Sequence, residues 1–216
     1  PDTPATLTGF SEGTASHRTA ADPPSLAAAE DDVDGRMLAV AQATFGISAF
    51  RPGQALAIRN VLAGTDTLAI MPTGAGKSLC YQLPAMLVDG LTLVVSPLIA
   101  LMKDQVDALH ARGHRATFVN STLTTQEQNE RLRGCALGEY DLLYVAPERM
   151  MRPGFIHSLQ DMTVSLIAID EAHCVSQWGH DFRPDYRRLG ELRDLVGRVP
   201  TAAFTATATR EVRDDI

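Results

Sequence analysis

From Arg36 onward the chain alternates between short apolar runs and longer stretches in which apolar residues recur at helical spacing. The runs are Thr67–Met71, Thr92–Val95, Ala116–Asn120, Leu142–Val145, Ser165–Asp170 and Ala202–Thr205. Each is mostly apolar without a polar alternation, the pattern of a strand covered on both faces. Most intervals between them are long enough for a crossover helix, which neighbouring parallel strands require. The pattern therefore predicts an α/β layered sheet with helices on both faces.

The first 35 residues read differently. They are rich in Pro, Thr, Ser, Ala and Asp, include Pro23-Pro24, and have almost no apolar periodicity. Such a segment buries too little surface to offset chain entropy, so residues 1–35 are expected to be an acidic disordered tail and residues 36–216 the folded domain. The charge divides along the same line. Asp2, Glu12, Asp22, Glu30, Asp31, Asp32 and Asp34 face one base, Arg18, so the tail carries most of the net charge of −7. The near-neutral remainder draws its bases almost entirely from Arg, whose forked guanidinium suits phosphate, so the acidic balance does not exclude a nucleic-acid partner.

No apolar run approaches the roughly 18 residues of a bilayer span, and no signal pattern opens the chain, so a cytoplasmic protein without membrane association is expected, nucleoid-associated if prokaryotic. Cys80, Cys135 and Cys174 are widely spaced without a CxxC pair, and are expected to be small buried hydrophobes. The chain opens on Pro1 and stops at Ile216, inside a helix expected after Thr209, so it reads as a piece of a longer protein.

Two stretches carry chemistry. The run Thr67–Met71 leads into Pro72-Thr73-Gly74-Ala75-Gly76-Lys77-Ser78, with a helical segment from Leu79. Glycines at 74 and 76 let backbone N–H groups turn toward phosphate oxygens, with Thr73 and Ala75 completing the loop, and the following helix offers its positive end to the same anion. Lys77 is expected to neutralise the outer phosphates and Ser78 to hold Mg2+. Met71 stands where the wider consensus has Gly. Further on, the apolar run Leu166–Ile169 ends in Asp170-Glu171-Ala172-His173. Asp170 suits the magnesium shell and Glu171 the polarisation of an attacking water. His173 has two readings, a γ-phosphate sensor or a hydrogen-bonding partner of a neighbouring loop.

Taken together, these residues resemble the RecQ-type DNA helicases of superfamily two. The likeness runs from about residue 38 to 216 in separate motifs: Phe45-Gly46 with Phe50-Arg51-Pro52-Gly53-Gln54, the phosphate loop through Gln82, Ser96–Gln105, Tyr144–Arg149 and Phe204–Thr209. The most diagnostic stretch is Cys174-Val175-Ser176-Gln177-Trp178-Gly179-His180-Asp181-Phe182-Arg183-Pro184, similar to the aromatic-rich loop of that family and foreign to RNA helicases that share the preceding four residues.

The resemblance implies a three-layer RecA-like P-loop NTPase lobe with a mostly parallel central sheet. It implies ATP and Mg2+ as cofactors, and single-stranded and forked DNA as partner in repair and recombination, with translocation three-prime to five-prime. Gln54 would pair with the adenine edge and Arg51 stack on its face, although Ile47 stands where many members carry an aromatic residue. Ser96 and Pro97 would touch DNA backbone. Thr205 and Thr207 would link the ATP site to DNA-facing loops. Trp178 and Phe182 would stack on unpaired bases, and Arg183 would bind phosphate or ATP when the loop reorders. A second RecA-like lobe with an arginine finger, a zinc-binding cluster and a winged helix would follow Ile216, so this segment alone is not expected to unwind DNA. An RNA helicase or remodelling translocase lobe, or a non-enzymatic nucleotide-binding module, stay open as alternatives.

Overall fold

The computed structural model describes residues 26–216, with side chains from residue 32 onward. Six strands form one sheet: β1 (Thr67–Ile70), β2 (Leu91–Val95), β3 (Ala116–Val119), β4 (Leu142–Val145), β5 (Val164–Ile169) and β6 (Thr201–Thr205). Their order is β1-β6-β5-β2-β4-β3, and every pairing is parallel. All six coincide with the apolar runs of the sequence to within a residue or two.

Side chains alternate between the two faces with a period of two, as a pleated strand requires. Val94, Leu142, Tyr144, Leu166, Ala168, Ala202 and Phe204 point into one core. Leu93, Val95, Leu143, Val145, Ile167, Ile169 and Ala203 point into the other. The first core is covered by α1 (Leu26–Phe45), α2 (Gln54–Leu62), α3 (Leu79–Ala85) and α4 (Ile99–His110). The second is covered by α5 (Thr125–Ala136), α6 (Pro147–Met150), α7 (Pro153–Leu159) and α8 (Leu189–Val196). The last helix, α9 (Arg210–Asp215), starts at Thr209, whose hydroxyl caps it by accepting from the Val212 N–H. The three-layer arrangement expected from the sequence is present.

The expected boundary at Arg36 requires correction. Residues 26–35, assigned to the tail, form the first half of α1. The Leu26–Ala29 stretch has high helix propensity, and farther along the helix Val33, Met37 and Ala41 fall at helical spacing and pack on the first core. The apolar stripe is thin and diluted by acids, so the stretch looks like linker when read as composition. The rest of the expected tail, residues 1–25, lies outside the described residues.

The strand order decides where the chemistry gathers. In a parallel sheet all carboxyl ends share one edge, and functional loops collect there. Here β1, β6 and β5 are neighbours, so the loop after β1, the Thr205–Thr209 loop and the Asp170–His173 turn emerge side by side. The ladder extends into these loops: Met71 N–H donates to the Thr205 carbonyl at 2.9 Å, and Asp170 N–H to the Val95 carbonyl at 2.8 Å.

Candidate functional site

The loop after β1 turns through Gly74 at φ 79° and Gly76 at φ 83°, a left-handed conformation in which a side chain is strained. Gly76 is also closely approached, since a Cβ there would stand 2.5 Å from Gln54 Nε2. The Lys77 ammonium reaches back across the loop to the Met71 carbonyl at 3.3 Å. Thr73 and Gly74 are exposed, while Ala75, Gly76, Lys77 and Ser78 are half-buried at the mouth of α3.

Two residues expected at the adenine, Gln54 and Arg51, brace this loop. Gln54 is buried, and its amide donates to the carbonyls of Ala75 at 3.1 Å and Gly76 at 3.0 Å. Its Oε1 accepts from the Arg51 N–H at 2.8 Å. The Arg51 guanidinium donates to the Gly74 carbonyl. The segment before α2 thus clasps the outside of the phosphate loop, and both amide hydrogens of Gln54 are in use.

Asp170 sits at the carboxyl end of β5, 8% exposed. Its Oδ1 accepts from the Glu171 N–H at 3.0 Å. Burial, with the Glu171 charge adding to it, pushes the Asp170 carboxyl up to about 6, against the opposing pull of the Glu171 N–H and Lys77. Glu171 adopts φ 49°, ψ 48°, and is the non-glycine residue with positive φ among the described residues. Left-handed backbone costs a side-chain-bearing residue about 1 kcal/mol or more. Here it turns the chain sharply into a 3-10 turn, Ala172–Val175, and leaves the Glu171 carboxylate half-exposed beside the loop.

His173 is buried and connects the carboxylate turn to β6. Its Nδ1 lies 3.0 Å from Thr205 Oγ1 and 3.3 Å from Glu171 Oε2. Thr205 gives its only hydroxyl proton to the Thr207 carbonyl at 3.0 Å, so Nδ1–H donates to Thr205 and Nε2 carries the lone pair. Burial, reinforced by His180, holds the His173 imidazole below its usual pKa, in keeping with that neutral tautomer.

The aromatic-rich loop stands directly over this turn. The rings of His173 and His180 stack with centroids 4.1 Å apart. Trp178 is 76% exposed, so it anchors no core. A cavity of about 390 Å³ opens between the loop and the end of β6, lined by His173, Trp178, His180, Thr207 and Thr209. Phe182 is half-buried with the Arg187 guanidinium 5.5 Å over its ring. Arg183 donates to Asp181 Oδ2 at 3.0 Å and to the Pro97 carbonyl at 3.1 Å. Ser96 and Pro97 are buried at the end of β2, and the exposed side chain of that junction is Leu98.

Several contributors had no signal in the sequence. Tyr186 donates its hydroxyl to the Asp170 carbonyl at 2.9 Å. Ser176, fully buried, donates to Asp215 at 2.6 Å and accepts from the Trp178 N–H at 3.1 Å, tying the base of the aromatic loop to α9. Both are ordinary residue types whose partners lie far off in the chain. The cysteines are buried and free, as expected. Among the described residues no helix is long and apolar enough to cross a membrane.

Comparison with known proteins agrees with this geometry. The family model described as DEAD/DEAH box helicase matches residues 51–215. The chain is 56% identical over 174 residues to the ATP-dependent DNA helicase RecQ of Bacillus subtilis, covering 80% of this chain and 29% of the relative. It is 52% identical over 179 residues to that of Pasteurella multocida, covering 83% and 28%. The chain thus spans under a third of the length of these relatives. The fold is shared with the helicase Lhr of Mycobacterium smegmatis, solved bound to ssDNA and AMP-PNP, at a TM-score of 0.63 and 24% identity, covering 82% of this chain and 26% of that one. With its phosphate loop on β1 and Asp170-Glu171-Ala172-His173 at the end of β5, the chain belongs to the DEAD/DEAH box helicase family.

Proposed function

We propose that residues 26–216 are the first RecA-like lobe of a RecQ-like 3'-5' DNA helicase, in which ATP hydrolysis drives movement along single-stranded DNA and unwinding of forked duplexes. The observation that carries this reading is the convergence of three loops at one sheet edge, the phosphate loop, the Asp170–His173 turn and the Thr205–Thr207 loop, beneath an exposed Trp178. The similarity to proteins named RecQ supports DNA as the polymer.

In this reading the backbone N–H groups around Gly74–Gly76 and the Lys77 ammonium hold the β- and γ-phosphates. Releasing Lys77 from the Met71 carbonyl exchanges a neutral acceptor for an anionic one, which favours the bound state. Glu171 orients water in line with the leaving phosphate. The His173–Thr205–Thr207 chain passes occupancy of the site to the loop facing DNA. Trp178 and Phe182 stack on unpaired bases. Arg183 reaches phosphate only after giving up Asp181 and Pro97, so its part requires the loop to rearrange.

Magnesium fits the residues present. Asp170 is a desolvated carboxylate whose raised pKa marks uncompensated negative charge, and Ser78 closes the loop at the start of α3. Among the described residues no cluster of three His, Cys, Asp or Glu side chains holds a metal unaided, so Ser78 and Asp170 would share the ion with nucleotide phosphates. When bound there it offsets charge on the phosphates. A second lobe supplying an arginine to the γ-phosphate belongs to the same reading.

The test is ATP hydrolysis by the full-length protein with and without single-stranded DNA, beside Glu171→Gln and Trp178→Ala. Strong DNA stimulation, abolished by the first change and uncoupled by the second, is expected. A DNA-indifferent rate, or greater stimulation by RNA, would reassign the polymer.

A further inference from the structure

We propose that Gln82 is a positioning residue that couples the nucleotide loop to the Ser96–Leu98 junction, by holding α3 against α4 through Gln105 and against β4 through Tyr144. The proposal rests on the reading above, in which α3 begins at the nucleotide and the Ser96–Leu98 junction faces DNA.

Gln82 is four residues past Ser78, on a helix that is buried throughout. It is 7% exposed, a polar side chain inside an apolar layer, where each unpaired hydrogen-bonding group is costly. Its Nε2 donates to Gln105 Oε1 at 2.8 Å and to the Tyr144 hydroxyl at 2.9 Å. One amide group thereby uses both its hydrogens on two different elements. Gln105 lies on α4, half-exposed, six residues past Ile99, the half-buried first residue of that helix. α4 follows β2 directly through Ser96, Pro97 and Leu98, so any rotation of α4 moves that junction. Among the described residues no other side-chain hydrogen bond joins α3 to α4.

Tyr144 gives the link a fixed base. It is fully buried on β4, in register with Val94 of β2 and Phe118 of β3. Its ring meets Tyr81 edge-on with centroids 6.3 Å apart, and Tyr81 in turn packs on Phe204 of β6 at 5.5 Å. The aromatic layer is close-packed and cannot deform gradually, so a displacement of α3 on filling the phosphate loop reaches α4 through the one polar contact with a defined geometry. Gln82 touches neither nucleotide nor DNA in this arrangement, so its effect falls on coupling and not on binding.

Gln82→Met keeps the volume and removes both hydrogen bonds. Gln105→Leu removes one from the exposed side, where the fold tolerates change. Gln105→Glu keeps the acceptor that Gln82 needs. In the full-length protein, DNA-free ATP hydrolysis and KM for ATP are expected within about twofold of wild type for all three, since the lost hydrogen bonds, two in Gln82→Met and one in Gln105→Leu, touch neither the nucleotide nor the groups that hold it. Stimulation by single-stranded DNA is expected to fall about fivefold to tenfold for Gln82→Met and Gln105→Leu, the double variant being no worse than either, with Gln105→Glu near wild type. Wild-type stimulation in Gln105→Leu would overturn the inference. So would a parallel fall of basal and stimulated rates with a lowered Tm, which marks a structural role. If the wild-type protein itself shows no DNA stimulation, the functional reading fails and the coupling role falls with it. If wild type is stimulated and the variants are too, only the coupling role falls.

Discussion

Gly179 packs so tightly on His173 that a Cβ added to it would stand 2.4 Å from the His173 carbonyl oxygen. The atom in the way is backbone, in the turn that carries Glu171, and it cannot swing aside as a side-chain tip would. Gly179→Ala is therefore expected to push the aromatic loop off the carboxylate turn. Overpacking of this kind costs about 1–3 kcal/mol. Thermal unfolding of the variant should show the loss, and DNA-stimulated ATP hydrolysis should fall further than the basal rate because the His173–His180 stack is displaced. An unchanged Tm with full stimulation would mean that the loop does not hold this position.

Asp170 stands in a site built for charge it does not itself neutralise. Its carboxyl is raised from the usual 3.8 to about 6, mainly by burial, so the folded state holds the proton more tightly than the unfolded chain does. Nucleotide-free stability consequently declines as pH rises from about 4 to about 6, and the cost is fully present above that window. Asp170→Asn does not titrate and keeps the acceptor for the Glu171 N–H. In metal-free buffer at pH 7.5 it is expected to be more stable than wild type by on the order of 2 kcal/mol, while losing ATP turnover. The gain should shrink below pH 6 and vanish near pH 4. Denaturant unfolding at several pH values measures it, and a pH-independent difference would assign the effect to packing.

Strands β2, β3, β4 and β6 were legible because they are buried along their whole length, which leaves uninterrupted apolar runs in the sequence, and β5 because its last four residues are. The phosphate loop and Asp170–His173 were legible because their chemistry demands particular residues at fixed spacing. The start of α1 was hidden by Glu30, Asp31, Asp32 and Asp34, which dilute its apolar positions in the sequence. Glu171's left-handed backbone has no sequence mark at all, since Glu is not a residue favoured there. Long-range pairs such as Ser176 with Asp215 follow from the strand order, and many orders are compatible with the same six runs. The engagement of Gln54 with the loop rather than with open space is of this second kind: the residue was legible, its partner was not.

The three cysteines offer a test of the core that is independent of nucleotide chemistry. Burial pushes each of the thiols, Cys80, Cys135 and Cys174, up to about 12. Only the thiolate reacts, so all three are expected to resist a thiol reagent at pH 8 in the native protein and to react together on denaturation. Rapid native labelling of Cys174 alone would show that the aromatic loop opens far more readily than the sheet, because its partner Asp181 lies on that loop.

Gln54 separates bracing of the loop from reading of the base. Its amide hydrogens go to the Ala75 and Gly76 carbonyls, and Gly76 leaves no room for a Cβ beside Nε2. A carboxylate at this position would face two carbonyl oxygens with no hydrogen to give and would set negative charge near the phosphates. Gln54→Glu is accordingly expected to weaken ATP binding more than tenfold, and more than Gln54→Leu, because a buried charge set against two carbonyl oxygens costs more than absent hydrogen bonds. Bracing acts on the phosphates, which ATP and GTP share, so Gln54→Leu should weaken both nucleotides by the same factor. Titration of fluorescent ATP and GTP analogues distinguishes the cases. A loss confined to the adenine nucleotide would show that Gln54 leaves the loop on binding and turns its amide to the base.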